Sequence, residues 1–298
     1  MEKLPTYGGQ ALIEGVMMRG GNAVAMAMRA PDRQIVVQTE KLGGIYKSGI
    51  TKIPFLRGLV MLWDALGLGM RALVTSANLQ TGEDEQLEGP ALYLSLGTSM
   101  LAAVALFFWL PAGAAQLGEH YLHFGMWGSN ITEGVARLLI LIGYIWLIGR
   151  MEDIRRVFSY HGAEHKTINA YEAGAELTPE SVARYPLEHP RCGTAFLLTL
   201  VLVSILVFTL IAPFKPADFS PLLWKLLTRL LFIPILAGVA YEYQRWTAGH
   251  LDSPLVRWLI RPNLALQRLT TNEPSLDMLE VAIAAFNAMR AAEQEVVL

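Results

Sequence analysis

The sequence predicts a polytopic α-helical membrane protein with about four transmembrane helices, an interfacial amphipathic helix and a small α+β cytoplasmic domain. Two observations lead to this fold class. Hydrophobic residues make up 53% of the 298 residues and charged residues only 17%, whereas a soluble domain carries about 25% charge. The apolar residues also concentrate in four runs, each close to the roughly 20 residues that a helix needs to cross a hydrocarbon core.

The first 52 residues (1–52) are predicted to form a cytoplasmic β-rich segment. Three runs of β-forming residues follow one another there, namely Ala11–Met18, Ala23–Met28 and Gln34–Thr39. Turn-forming residues separate them, at residues 20–22 and at Pro31. Short turns between such runs favour antiparallel pairing. We therefore expect a meander of three antiparallel strands.

Residues 55–78 are predicted to form one amphipathic helix. Arg57, Asp64 and Arg71 are spaced seven apart in an otherwise apolar stretch. Seven residues are nearly two turns of an α-helix, so the three charges lie in one polar stripe. A helix that lies along the membrane interface accounts for this pattern. In the alternative interpretation the helix is re-entrant or buried, because Gly58, Gly67 and Gly69 would permit close packing.

Four apolar stretches are predicted to cross the membrane. They are Ala91–Leu117, Ile131–Gly149, Thr194–Ala212 and Leu222–Tyr241. They divide this part of the chain into a first transmembrane pair at residues 91–149, a cytoplasmic loop at 150–193, a second transmembrane pair at 194–241 and a cytoplasmic C-terminal region at 242–298. Lys225 and Arg229 lie in the first two turns of the last stretch, where long cationic side chains are expected to reach the headgroups.

The distribution of lysine and arginine predicts the orientation. Residues 1–90 contain nine of them, residues 150–194 six and residues 242–298 five, whereas residues 118–130 contain none. Basic residues collect on the cytoplasmic side of a membrane. The sequence therefore predicts a multi-pass protein of the cytoplasmic (inner) membrane with both termini and the central loop in the cytoplasm.

Composition also limits the expected partners. The net charge of −2 produces no overall field that would attract nucleic acid, so no nucleic-acid partner is expected. Cys192 is the only cysteine, which excludes an internal disulfide and suits a reducing compartment. The expected partners are the lipid bilayer and a membrane protein.

The central loop contains the pattern H-x-x-E-H at His161, Glu164 and His165. Residues four apart on a helix share a face, so both imidazoles are placed to bind one divalent metal ion, with zinc the first choice. Glu164 lies beside His165, where its carboxylate can take a proton from a water molecule that the metal activates. The two histidines are candidate metal ligands and Glu164 is the candidate catalytic base. In the alternative interpretation, these side chains only hydrogen-bond to backbone and neighbours.

Several carboxylates compete to be the third ligand. Glu242 follows the last apolar stretch and lies 77 positions after His165, a separation similar to that in inverted zincins. Glu14 and Glu172 are the rivals, and Glu172 continues the helical face of the two histidines.

His189, Arg191 and Cys192 form a second polar cluster just before the third apolar stretch. A histidine and a cysteine three residues apart offer borderline and soft ligands. Adding His189 and Cys192 to the two helix histidines makes a closed structural zinc site, whereas two histidines and a carboxylate leave an open catalytic one. In the alternative interpretation, Cys192 is a small buried residue and Arg191 contacts a headgroup or phosphate.

Near the N-terminus, the glycine pair Gly8-Gly9 precedes Glu14 and Arg19. Paired glycines permit tight turns or a close approach of the backbone to a ligand, and Glu14 and Arg19 are further candidate site residues. The structural alternative is a strand edge with a Glu–Arg pair. A Walker lysine and a G-x-G-x-x-G pattern are both missing, which argues against nucleotide binding.

Four sequence blocks carry a resemblance to a known family. They are GGQALIEGVMMRG, YHGAEHKTINAYE, HPRCGT and ALQRLTTNEP, and they are spread over nearly the whole chain. With these blocks the chain resembles the bacterial YqhQ-type membrane proteins, a family without an established activity that is described as a predicted metal-dependent enzyme. The resemblance implies a bacterial inner-membrane protein with a polar cytoplasmic site, and it names no substrate.

The leading functional hypothesis is a metal-dependent hydrolase with a His/Glu polar site at the cytoplasmic face and a lipid-linked or membrane-proximal substrate. The competing hypothesis is a non-catalytic membrane assembly or regulatory factor that binds a protein partner. A transporter or channel is disfavoured, because the predicted spans contain few charges that would line a pathway.

Overall fold

The computed structural model describes residues 7–43, 49–81, 86, 88–123 and 125–297. The side chain of Asp64, which belongs to the predicted polar stripe, lies outside the described part. Within the described ranges the chain is mostly helical and carries one small antiparallel sheet.

The sheet has four strands in the order β1-β2-β3-β4. They are β1 (Gly8–Leu12), β2 (Gly15–Arg19), β3 (Ala23–Arg29) and β4 (Ile35–Lys41). Each strand pairs antiparallel with the next one along the chain. The predicted meander is therefore present with one strand more than expected, and β1 is an outer strand.

The extra strand arises because the run predicted as a single strand, Ala11–Met18, is a hairpin. Leu12 pairs with Gly15, so Ile13 and Glu14 form the turn between β1 and β2. Glu14 has φ 51°, a left-handed conformation that breaks a strand. Neither residue is a usual turn residue at these positions, which is why the sequence did not predict the turn.

Twelve α-helices follow the sheet within the described residues. They are α1 (Leu56–Gln80), α2 (Gly89–Val104), α3 (Leu110–Leu122), α4 (Met126–Ile148), α5 (Glu152–Glu172), α6 (Pro179–Val182), α7 (Gly193–Ile211), α8 (Pro221–Leu231), α9 (Ile233–Ala248), α10 (Pro254–Leu259), α11 (Arg261–Gln267) and α12 (Leu276–Val297). A π-helical segment, Ala105–Trp109, joins α2 to α3.

Helices cover both faces of the sheet. On one face, α5 and α12 pack against residues such as Val16, Met18 and Ala27. On the other face, α1 packs through residues such as Ala72 against Leu12. The final helix, α12, buries one face through four side chains, Leu279, Ile283, Phe286 and Met289. The small domain therefore has two apolar layers with the sheet between them.

Helix α1 bridges the sheet and the apolar helices. Arg71 pairs with Glu40 of β4, and Arg57 pairs with Glu242 of α9. Gly58 lies directly against Gly238 of α9, where an added Cβ would come within 2.8 Å of the neighbouring backbone. Two arginines of the predicted stripe thus bind protein carboxylates.

Three helices in the described part of the chain are long and apolar enough to cross a membrane, and a fourth span results if one bent pair is counted as one. The three are Gly89–Leu122, Trp127–Ile148 and Gly193–Phe214, and the pair is α8 with α9, bent by 50°. Pro234 lies in the first turn of α9, where it cannot continue the hydrogen bonds of α8. The four predicted apolar stretches are thus helical, and the last one is broken.

An ion cluster is buried between α4 and α8. Glu133 accepts hydrogen bonds from Arg137 at 2.7 Å and from Arg229 at 2.6 Å. Arg229 is only 2% exposed, so it does not extend outward as the sequence predicted. The reason is that Glu133, on the neighbouring helix, offers it a bidentate carboxylate.

Candidate metal centre

Helix α5 brings the H-x-x-E-H residues together. At 3.6 residues per turn, His161 and His165 project from the same side of the helix, and their rings lie 4.4 Å apart between centroids. Gly174, at φ 73°, lies just beyond the end of the helix, where a left-handed glycine is common. Gly162 fits this helix because the carbonyl of Asn272 occupies the space that a Cβ would need. The glycine thus permits the close approach of the segment before α12.

Both imidazoles are oriented by backbone carbonyls. His161 Nδ1 lies 2.9 Å from the carbonyl oxygen of Thr270, and His165 Nδ1 lies 2.5 Å from that of Leu187. A carbonyl only accepts, so each Nδ1 carries the proton and donates it. Each Nε2 then keeps a free lone pair, which is the arrangement found in metal-binding histidines.

The two Nε2 atoms converge with the thiol of Cys192. His161 Nε2 lies 3.2 Å from Cys192 Sγ, and the ligand atoms of His161, His165 and Cys192 all lie within 4.8 Å of one another. His165 Nε2 is buried and has no hydrogen-bond partner among the described residues. Ligands around a tetrahedral zinc are separated by about 3.4 Å, given zinc–ligand bonds of about 2.0–2.3 Å. The donor set and its convergence therefore fit a metal ion such as zinc.

Cys192 is held at the start of α7. It is the residue before the first turn, and its sulfur accepts a hydrogen bond from the backbone N–H of Thr194. Gln244 of α9 donates to the Cys192 carbonyl at 2.8 Å. The thiol is thus fixed where the loop that follows α6 enters the apolar helix.

Glu164 lies beside the three candidate ligands. One of its carboxylate oxygens is 3.8 Å from His161 Nε2, and the residue is 5% exposed. Burial raises the pKa of Glu164 to about 7, although His161 and the backbone N–H of Gly9 partly offset this rise. Gly9 is required there, since an added Cβ would lie 2.8 Å from Glu164 Cγ. The site thus contains a carboxyl group suited to proton transfer near neutral pH.

Gln267 and Lys166, which were not among the predicted site residues, hold the loop that carries Cys192 through hydrogen bonds. Gln267 donates to the His189 carbonyl and accepts from the His189 N–H, both at 2.9 Å. Buried Lys166 donates to the carbonyls of Ala183 and Tyr185. Most of these contacts reach backbone atoms, which leave no pattern in a sequence. The ALQRLTTNEP block, which contains Gln267 and Thr270, was the available signal.

His189, Arg191 and Glu172 form a neighbouring polar cluster instead of joining the three ligands. Arg191 pairs with Glu172, and His189 Nε2 lies 3.8 Å from the same carboxylate. Burial lowers the pKa of His189. Burial alone would raise the pKa of Glu172, but His189 and Arg191 lower it overall. His189 therefore lies outside the group of three candidate ligand atoms.

The remaining candidates lie elsewhere. Glu242, predicted as the third ligand, accepts hydrogen bonds from Arg57 and from the Phe55 N–H. Glu14 lies in the β1–β2 turn and accepts two hydrogen bonds from Arg156 at 2.6 Å. Arg19 ends β2 and donates to the Gly20 carbonyl. The structure thus places Cys192, and not Glu242, beside the histidines.

Comparison with known proteins places the chain in a family. The family described as "Protein of unknown function (DUF1385)" matches residues 53–292. The chain is also 35% identical over 301 residues to "Uncharacterized protein YqhQ" of Bacillus subtilis (strain 168), an alignment that covers 96% of this chain and 92% of that protein. The chain belongs to the DUF1385 family. This confirms the resemblance read from the four sequence blocks. No solved structure gives a significant match.

The DUF1385 match contains all of the candidate centre but not the sheet. His161, Glu164, His165 and Cys192 lie inside residues 53–292, whereas β1 to β4 precede them. The longer alignment with the Bacillus subtilis relative covers nearly the whole chain.

Proposed function

We propose that this protein is a metal-dependent hydrolase of the bacterial inner membrane whose metal centre lies at the cytoplasmic face. The observation that carries the proposal is the convergence of three ligand atoms, from His161, His165 and Cys192, within 4.8 Å. The unpartnered, buried Nε2 of His165 supports it most directly. A buried imidazole nitrogen without a partner costs about 1–3 kcal/mol, and a bound cation would remove that cost.

The apolar helices support the membrane location. Large apolar side chains such as Tyr93, Leu101 and Leu206 are more than half exposed on helices that qualify as spans. Lipid would cover such side chains. Helix α4 ends just before α5, and α7 begins just after Cys192. The C-terminal end of α4 and the N-terminal end of α7, two antiparallel apolar helices that contact each other, therefore both adjoin the candidate centre. The basic-residue asymmetry supports a cytoplasmic position for those ends.

The ligand set favours a catalytic centre over a structural one. Three protein ligands leave one tetrahedral position open, whereas structural zinc sites use four. Zinc in such a centre polarises a carbonyl and makes water a stronger acid. Thr270 and Leu187 hold the two imidazoles in the ligating tautomer through their carbonyl oxygens. Glu164 is the group that accepts and returns the proton during hydrolysis.

Metal analysis of purified protein and matched variants tests the proposal. We expect about one zinc per chain in the wild type. His161→Ala, His165→Ala and Cys192→Ala should each lose it, since two remaining ligands rarely hold zinc against a chelator. Glu164→Gln should keep the metal and lose hydrolytic activity. Glu242→Gln is the matched control, because that carboxylate binds Arg57, and its metal content should be normal.

The competing function is a non-catalytic membrane assembly or regulatory factor that binds a protein partner. It is favoured by the many hydrogen bonds that hold the Cys192 loop, where Lys166 and Gln267 bind backbone groups. Such bonds are typical of a polar cluster with a purely structural role. A purely structural cluster predicts that the wild type binds no metal and that every variant of the cluster unfolds more easily. A folded wild type that contains no metal after chelator-free purification would favour this function and contradict the hydrolase.

A further inference from the structure

The outer edge of β1 is the part of the sheet nearest the candidate centre. In an antiparallel pair, alternate residues of an outer strand turn their N–H and C=O groups away from the partner strand. Gly9 N–H is directed to the Glu164 carboxylate, and Ile13 N–H binds Ser76 Oγ at 3.2 Å. Both therefore point outward. Ala11, midway between them, has the same outward orientation of its N–H and C=O groups.

The helical geometry of α5 places the metal-binding side beyond this edge. Tyr160, Ala163 and Thr167 are fully buried and lie on one side of α5, at about 100° per residue. Glu164 follows at the edge of β1, next to Gly9. His161 and His165 come next around the helix, on the side farther from the sheet. A strand added to β1 would therefore lie alongside Glu164 and the two histidines.

The edge is also accessible at the end that approaches the centre. Gly9 is exposed and Ala11 is half-buried. The glycine pair Gly8-Gly9 has no side chains that would cover the backbone. The Ala11 side chain packs into the apolar core on the α5 side of the sheet, so it does not cover the outward backbone groups of Ala11. The Ala11 N–H and C=O groups, which lie between the outward contacts of Gly9 and Ile13, can pair with another extended chain.

We infer that the substrate is an extended polypeptide segment that pairs with the outer edge of β1 and so presents a peptide bond to the centre. This inference rests on the proposed function and narrows its substrate class. The outward N–H and C=O groups of a strand are complementary to another main chain, which binds by strand addition. A lipid acyl chain has no groups to pair with them, and an anionic headgroup would meet the Glu164 carboxyl.

Two hydroxamate probes test the substrate class independently of the metal centre. Acetohydroxamate binds a metal without a peptide, and N-acetyl-tetra-alanyl hydroxamate adds an extended backbone. Protein loaded with cobalt reports the binding of either through its visible absorption spectrum, without an activity assay. Two additional backbone hydrogen bonds of about 1 kcal/mol each predict that the peptide probe binds at least about tenfold more tightly.

Matched variants and probes test whether the tighter binding of the peptide hydroxamate depends on the backbone of Ala11. Ala11→Pro removes one outward N–H and no ladder hydrogen bond, since proline is tolerated on strand edges. Losing one of the two hydrogen bonds should reduce the tenfold advantage to about threefold and leave acetohydroxamate binding unchanged. Ala11→Ser should retain the advantage. If Ala11→Pro does not fold, a probe N-methylated at one amide makes the same test on the wild type.

The outcomes are distinct. Equal affinity for the two hydroxamates, or an advantage that neither Ala11→Pro nor probe N-methylation reduces, would overturn the inference and leave the metal centre intact. Failure to bind metal would overturn the proposed function, and this inference with it. A peptide advantage that is reduced in Ala11→Pro alone supports strand addition at β1.

Discussion

At the scale of one residue, the two ring nitrogens of His165 differ in their hydrogen bonding. Its Nδ1 is bound to a backbone carbonyl, while its Nε2 is buried with no partner among the described residues. Protein interiors rarely leave such a nitrogen unsatisfied, because the lost hydration is not replaced. The imbalance is confined to the side of the ring that faces Cys192 and His161.

The first prediction concerns the stability that a metal supplies. A ligand that binds only the folded state at one hundred times its Kd adds about 2.7 kcal/mol to the free energy of unfolding. Zinc should therefore raise the Tm of chelator-treated wild type in detergent, and it should not raise that of His165→Ala. Glu242→Gln should respond like the wild type. An equal rise in His165→Ala would mean that zinc acts elsewhere.

The second prediction concerns the Cys192 thiol, which touches His161 Nε2 and is 5% exposed. A thiol committed to a metal is protected from alkylation. Labelling by N-ethylmaleimide, followed by mass spectrometry, should be at least about tenfold slower in zinc-loaded than in chelator-treated protein. His161→Ala should lose the protection. Labelling rates that do not depend on zinc would show that Cys192 is not a ligand.

Helices α4 and α8 show at the scale of elements how apolar segments accommodate charge. Glu133 is shared by Arg137 and Arg229, and all three are at most 3% exposed. Arg137 also donates to the Phe107 carbonyl, in the π-helical segment between α2 and α3. The ion cluster therefore ties three helical segments together, and each charge is paired because an isolated buried charge is costly.

The third prediction tests that cluster. Glu133→Gln leaves two buried guanidinium groups without a carboxylate, and breaking a buried ion pair costs about 3–5 kcal/mol. The variant should lose several degrees of Tm in detergent. The matched control is Glu119→Gln, because the Glu119 side chain is 40% exposed and lies 3.4 Å from Lys225. A surface pair contributes about 0–1 kcal/mol. Equal losses in the two variants would contradict a stabilising role for the buried cluster.

The whole molecule combines a bundle of apolar helices with a small sheet domain covered by α1, α5 and α12. Helix α1 contacts both parts, through Gly58 and Arg57 on α9 and through Arg71 on β4. The candidate centre is built from α5, from the residue that precedes α7 and from carbonyls of two connecting segments. Its position relative to the proposed membrane is thus set by how the two parts join.

The fourth prediction tests the proposed orientation. Reporter fusions after Glu176 and after Leu298 should behave as cytoplasmic, and a fusion after Glu119 should behave as external. The reason is the excess of lysine and arginine in the segments around the first two positions. An external result at Glu176 would reverse the orientation and place Cys192 in an oxidising compartment.

Most of the helical framework was predictable from sequence. The apolar runs are continuous over many residues, and His161 and His165 are four apart on one local helix, so local spacing alone predicts both features. The β1–β2 turn was not predictable, because Glu14 adopts a left-handed conformation that its residue type rarely uses. The bend between α8 and α9 depends on where Pro234 falls within a run that is otherwise apolar.

The sequence by itself determined the helical class, the apolar segments, the DUF1385 family and the pairing of His161 with His165, because each depends on residues close together along the chain or on whole-chain similarity. Only the tertiary structure decided that Cys192 joins the two histidines and that Glu242 binds Arg57. Distant residues meet through packing, and a carboxylate binds the cation that packing brings closest. Packing also decided the tautomer of each histidine, since the carbonyls of Leu187 and Thr270 approach the rings from segments far apart in the sequence.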